Sequence, residues 1–155
     1  MKAIPLTRGH VAIVDDCDND WLSRWNWCYH AQGYAIRGRC KEDGLGSQPI
    51  FMQNVIMGVS SGVDHADRNS LNNQRANLRL ATRSQNNANS GLSPRNTSGY
   101  RGVSWSEVSR KWLAQIWVDR AAIHLGLFVD PKDGARAYNE AAIDHYGVFA
   151  YQNLI

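Results

Sequence analysis

Long apolar runs are missing from this chain of 155 residues: the longest, at residues 11–14 and 148–151, contain four residues each. A membrane-spanning helix requires ~20 apolar residues, and a secretory leader an apolar stretch of ~7–15 behind a basic start. Neither is expected, and the sequence reads as that of a soluble intracellular protein with no membrane partner. Cysteine is scarce as well. Cys17, Cys28 and Cys40 cannot all pair, and no C-x-x-C occurs, which argues against a disulfide framework and against a thiolate zinc knot. Acidic residues are nearly absent from one long stretch, because between Arg68 and Lys111 eight arginines and lysines face only Glu107. That stretch carries +7, and the rest of the chain, with nine basic and thirteen acidic residues, carries −4.

What is present reads as globular, with 43% hydrophobic and 20% charged residues. The length suits one ordinary domain or two small ones. A basic centre between acidic ends points to a polyanionic partner. Asn and Gln interleave with the arginines there, and their amides suit base edges and phosphate oxygens. Nucleic acid is the leading expectation.

Residues 4–7 and 10–14 read as short strands about the turn Arg8-Gly9. Asp15, Asp16, Asp18 and Asp20 form an acidic cluster, but the glycine and closing glutamate of a calcium loop are missing. Asp18 or Asn19 is predicted to N-cap a short helix over residues 21–25. Residues 27–29 and 34–37 suit a hairpin around Gln32-Gly33. Residues 49–58 suit a short helix with Ile50, Met52, Val55 and Ile56 as its apolar positions. Residues 91–99, rich in Gly, Pro, Ser and Asn, read as a linker between a domain at 1–90 and another at 100–153. Beyond it, residues 100–106, 111–119 and 123–129 suit an antiparallel meander. A closing helix has well-marked ends: Asp130 as N-cap, Pro131 in its first turn and Gly147 as the left-handed cap. Ala135, Tyr138, Ala142 and Tyr146 share one of its faces, which can lie on a sheet and leave the sheet's other face uncovered.

Residues 62–89 carry the chemistry. A short strand ends in Asp64-His65, an Asn-rich loop follows, and Thr82 with Gln85 forms a capping box that starts a helix near Arg83. Asn86 and Asn89 share a face of that helix. Three asparagines in positions 86–89 make a poor helix unless their amides have a polar task. A carboxylate and an amide from two elements can hold one hard divalent cation and leave coordination sites for phosphate and water.

The pattern of V-D-H at residues 63–65, N-L-R at 77–79 and Q-N at 85–86 resembles the HNH endonuclease family, whose strand–loop–helix unit is the ββα-metal motif. It looks like the zinc-free subgroup found in phage and intron-encoded homing endonucleases. The resemblance implies His65 as the general base, Asp64 as a metal ligand, and Asn86 as the second ligand, with Asn89 an alternative one turn on. It implies Asn77 as the brace of the loop, and one divalent ion, Mg2+ or Mn2+, with no zinc. The chain departs from the family at Gln53-Asn54, where members often carry His-Arg. It departs again at Ala66-Asp67-Arg68-Asn69, where the loop is often Ile-Asn-Gly-Asp.

A second resemblance covers residues 98–153, which are similar to the ethylene-response-factor (apetala-type) DNA-binding domain. It rests on Tyr100-Arg101-Gly102-Val103, Lys111-Trp112-Leu113-Ala114-Gln115-Ile116, His124-Leu125-Gly126-Leu127-Phe128 and the run from Ala135 to Ala142. It implies a three-stranded sheet in the major groove with the helix behind it, and Arg101, Lys111, Gln115 and Trp117 facing DNA, joined by Trp105. Arginine suits guanine edges and glutamine suits adenine. Arg79 and Arg83 of the basic block are expected on DNA phosphates.

The expected fold is α+β: a small β-rich N-terminal region with a ββα-metal unit, then a three-stranded antiparallel sheet packed on one helix. The expected function is metal-dependent hydrolysis of phosphodiester bonds in double-stranded DNA, in the cytoplasm of a bacterium or phage-infected host. A monomer is expected to nick, and a dimer is the alternative that makes double-strand breaks. The competing expectation is a non-catalytic DNA-binding regulator with a decayed nuclease unit.

Overall fold

A computed structural model of the chain describes residues 1–38, 43 and 48–155; Cys40 lies outside them. The fold is α+β and divides into two compact units, Met1–Ala81 and Thr82–Ile155. None of the described helices is long and apolar enough to cross a membrane.

In the first unit, β1 (Lys2–Pro5) and β2 (Val11–Val14) pair antiparallel, with Ile4 opposite Ala12. Strand alternation sends Ile4, Ala12 and Val14 inward. Helix α1 (Asp16–Leu22) follows at once. It starts earlier than the predicted helix, and its N-cap position is Asp15 rather than Asp18 or Asn19. Asp18 lies inside the helix at 2% exposure, because its carboxylate is taken by Arg75, 57 residues away.

Strands β3 (Cys28–Tyr29), β4 (Ala35–Arg37) and β5 (Ile50–Phe51) form a small antiparallel sheet in that order. Ile50 therefore belongs to a strand, paired with Arg37, and not to helix α2 (Met52–Met57) as expected. Gly58 ends α2 in the left-handed region, at φ 66° and ψ 30°. Strand β6 (Val63–His65) pairs with β7 (Leu78–Leu80), a strand too short to stand out in the sequence. Leu22, Trp27, Met52, Ile56, Val63 and Leu78 join the β1–β2 residues in one core cluster. The hairpin carrying Asp64 and His65 is thus rooted in the core through Val63 and Leu78.

The second unit opens with α3 (Arg83–Asn89) and continues into the meander β8 (Val103–Ser106), β9 (Lys111–Val118) and β10 (Ala121–Phe128), in the sheet order β10-β9-β8. Residues 91–99 also fall within this unit. Helix α4 (Pro131–Tyr146) begins as expected, with the Asp130 carboxylate accepting from the Lys132 amide at 2.8 Å. Gly147 ends it at positive φ (53°) but with ψ −124°, outside the left-handed helical well. Ile116 of β9 packs against Tyr138 and Ala142 of α4. With a period of two, Trp112, Ala114, Ile116 and Val118 face the helix, while Lys111, Leu113, Gln115 and Trp117 face away. Val103 lies opposite Ala114 and Trp105 opposite Trp112, so Trp105 is on the helix side. A bulge between His124 and Gly126 resets the register of β10.

Candidate functional site

Along β6 adjacent side chains point to opposite faces. Asp64 lies across from Arg79 and His65 across from Leu78. The Asp64 carboxylate is 4% exposed, and its Oδ2 lies 2.8 Å from Nε and 2.7 Å from Nη2 of Arg79. Arg79, expected on a DNA phosphate, is turned onto this carboxylate. His65 is 5% exposed, its Nε2 is 3.2 Å from the Asn73 Oδ1, and its ring is 6.1 Å, centroid to centroid, from that of Tyr34. Burial pushes the His65 pKa below its ordinary 6.5, against the hydrogen bond to Asn73 and the charges of Asp67 and Asp64. The imidazole is therefore held neutral at physiological pH, as a proton acceptor must be.

The loop between β6 and β7 is tied together by Asn77. Its Oδ1 accepts from the Asp67 amide at 2.9 Å, and its Nδ2 donates to Asp67 Oδ1 at 2.9 Å and to the Asn72 carbonyl at 2.8 Å. Asp67 also accepts from the Asn69 amide at 2.8 Å and from Asn72 Nδ2 at 2.7 Å. Burial opposes ionisation of Asp67, but these hydrogen bonds outweigh it and hold the carboxyl below its ordinary range. Arg68 adopts φ 65°, at the place where the related loop often has glycine.

Two more elements pin this loop from outside. The edge of β2 exchanges backbone hydrogen bonds with it, Ile13 N–H to Leu71 at 2.8 Å and Asn73 N–H to Ile13 at 2.7 Å. From the start of α1, Asp15 accepts from the Arg75 amide at 2.8 Å and from Gln74 Nε2 at 3.2 Å. Asp18 takes the Arg75 guanidinium through two bonds of 2.8 Å. Asp15, Asp18, Asp67 and Asn73 are site residues the sequence reading missed. An acidic cluster at residues 15–20 was visible, but nothing local marks its partners some sixty residues on.

In the second unit, Thr82 and Gln85 make both bonds of the capping box that starts α3. Asn86 is half-buried on α3, and Asn89 is buried. Arg101 is tied down within this unit: Nε donates to the Tyr138 hydroxyl at 2.7 Å, Nη2 to the Asn87 carbonyl at 2.7 Å, and Nη1 to Ser90. A cleft of about 1100 Å³ is lined by Arg83, Arg101, Gln115 and Trp117, together with Arg120. Four of the side chains expected at DNA thus line one space. Trp117 is 60% exposed and Lys111 is exposed on the sheet face away from α4; Trp105 stands on the opposite face.

Among the described residues no three or more His, Cys, Asp or Glu side chains converge as a metal cage. Asp64 offers one buried carboxylate, an oxygen donor of the kind that suits a hard cation which keeps several waters.

The HNH endonuclease family matches residues 59–88, the stretch that runs from before β6 through the loop and β7 into α3. An uncharacterized HNH endonuclease, L560 of Acanthamoeba polyphaga mimivirus, is 34% identical over 140 residues, which cover 86% of this chain and 70% of that protein. Protein 3.8 of Escherichia phage T7 is 44% identical over 50 residues, or 32% of this chain and 41% of that protein. The chain belongs to the HNH endonuclease family and is a DNA-cleaving enzyme.

Proposed function

We propose that the chain hydrolyses phosphodiester bonds of double-stranded DNA with the help of one divalent cation, Mg2+ or Mn2+, and that His65 is the general base. The observation carrying this reading is the pair on β6, a buried carboxylate on one face and a desolvated, neutral imidazole on the other. The imidazole takes the proton of the attacking water. Asp64 and, from α3, Asn86 would hold the ion, which when bound stabilises charge on the phosphate and on the leaving oxygen. Asn77 keeps the loop in shape through its bonds to Asp67 and Asn72.

The second unit anchors the duplex. Lys111 on the uncovered sheet face, with Arg83, Arg101, Gln115 and Trp117 around the cleft, supplies cations for phosphates and an amide and an indole for bases. The likeness of residues 98–153 to a major-groove sheet supports this assignment. One ββα unit acts on one strand, so a monomer nicks.

The test is a plasmid relaxation assay with Mg2+, Mn2+ or EDTA, comparing the parent chain with His65→Ala. Metal-dependent conversion of supercoiled to nicked plasmid that disappears in the variant is the expected result. Equal conversion by both proteins would remove His65 from the chemistry.

A further inference from the structure

We propose that Asn73 is a positioning residue that sets the tautomer of His65, fixing the proton on Nε2 and presenting Nδ1 as the basic nitrogen. This rests on the reading of His65 as the general base. Asn73 is fully buried, at 0% exposure. Its backbone is clamped through the bond to Ile13, and its Oδ1 lies 3.2 Å from His65 Nε2. Its Nδ2 has no hydrogen-bond partner among the described residues.

A buried amide nitrogen without a partner costs about 1–3 kcal/mol. Asn73 is therefore a poor choice for stability alone, and its side chain's contribution is the contact with His65. An amide oxygen can only accept a hydrogen bond. Held against Nε2 it requires the proton there, and a neutral imidazole then carries its lone pair on Nδ1. The reversed amide would strand its oxygen instead and turn the imidazole lone pair toward the buried asparagine, away from any water. The β1–β2 hairpin, which contributes no side chain to the chemistry, thereby acquires a task. Its edge at Ile13 holds the residue that orients the base.

The experiment is a long-range 1H–15N correlation spectrum of the 15N-labelled full chain in EDTA, at a pH where His65 is neutral, with its signals assigned from His65→Gln. The parent is expected to show the proton on Nε2. Asn73→Ala is expected to show a mixture of tautomers and to lose nicking rate by about 10- to 100-fold. Asn73→Asp, which retains an acceptor at Nε2, is expected to keep the Nε2–H signature and to recover part of the rate. A parent spectrum with the proton on Nδ1, or an Nε2–H signature unchanged in Asn73→Ala, would overturn the proposal. The parent spectrum decides even where a variant fails to fold. Failure of the general-base reading shows separately, as parental nicking by His65→Gln whatever the tautomer.

Discussion

Across β6 and β7 the Asp64 carboxylate and the Arg79 guanidinium neutralise each other, both largely withdrawn from water. A divalent cation brought to Asp64 must share the carboxylate with that guanidinium or displace it. Removing Arg79 alone leaves a buried carboxylate without its cation. Because Arg79 is partly exposed, the cost is on the order of 2–3 kcal/mol, below the ~3–5 of a fully buried pair. Arg79→Gln is expected to lower Tm in EDTA and to enlarge the rise in Tm that Mn2+ produces, since the guanidinium no longer competes for the carboxylate. Thermal denaturation with and without Mn2+ measures both, and an equal rise in the two proteins would show that Arg79 does not contend for the site. His65 gives a second prediction. Its folded pKa lies below the unfolded 6.5, so the unfolded chain takes up the proton first. Stability therefore falls as pH drops from 6.5 through the folded pKa and levels off beneath it. Over that window the Tm of His65→Gln is expected to fall less than that of the parent. The acid limb of the nicking rate is likewise expected below pH 6.5.

At the level of elements, Gly102 shows how one position fixes a packing distance. It sits at φ 74° just before β8, where an added Cβ would run into the Tyr138 ring and come within 2.7 Å of the Gln115 carbonyl. Positive φ and backbone contact act together, so Gly102→Ala is expected to destabilise the second unit by more than about 1 kcal/mol. Urea unfolding followed by tryptophan fluorescence checks this, and an unchanged midpoint would mean that α4 can move away at little cost. Elements with local signals were legible in the sequence. The capping box at Thr82, the start of α4 at Asp130-Pro131 and the hairpin about Gln32-Gly33 each depend on residues within four positions. What stayed hidden depends on distant partners. Helix α1 starts earlier than its local signals indicate because Asp18 is satisfied by Arg75 rather than acting as an N-cap, and Ile50 is a strand residue through its pairing with Arg37, which is not a local property. The site divides in the same way. Asp64, His65 and Asn77 stand out through the likeness of their motif to the HNH family, whereas the contacts of Asn73 and the Asp15 clamp exist only once β2 and α1 have met the loop. Trp105 stands on the sheet face opposite that of Trp117 because the β8–β9 register sets their phase, which no local signal in the sequence carries.

For the whole molecule, the basic block between Arg68 and Lys111 separates into two kinds of charge. Arg75 and Arg79 are paired with the carboxylates of Asp18 and Asp64, whereas the hydrogen bonds of Arg101 go to uncharged groups and leave its charge unmatched. Arg83, Arg95, Arg110 and Lys111 are exposed. Only a cation that meets a phosphate releases counterions, and each such contact steepens the dependence of log Kd on log salt by about 0.9 on B-form DNA. The pull of the block on a duplex is therefore smaller than its formal +7 suggests. Arg110→Gln and Lys111→Gln are each expected to flatten the slope by about 0.9, and the double variant by about twice that. Arg75→Gln, at a position whose charge is already matched by Asp18, is expected to leave the slope unchanged. Fluorescence anisotropy with a labelled duplex over a salt series, in EDTA so that nothing is cut, gives the slopes directly. A slope flattened as much by Arg75→Gln as by Lys111→Gln would mean that the Asp18 pair opens on binding. An unchanged slope ties duplex binding to cations outside the Asp18–Arg75 pair and leaves that part of the clamp on the loop intact while the site is loaded.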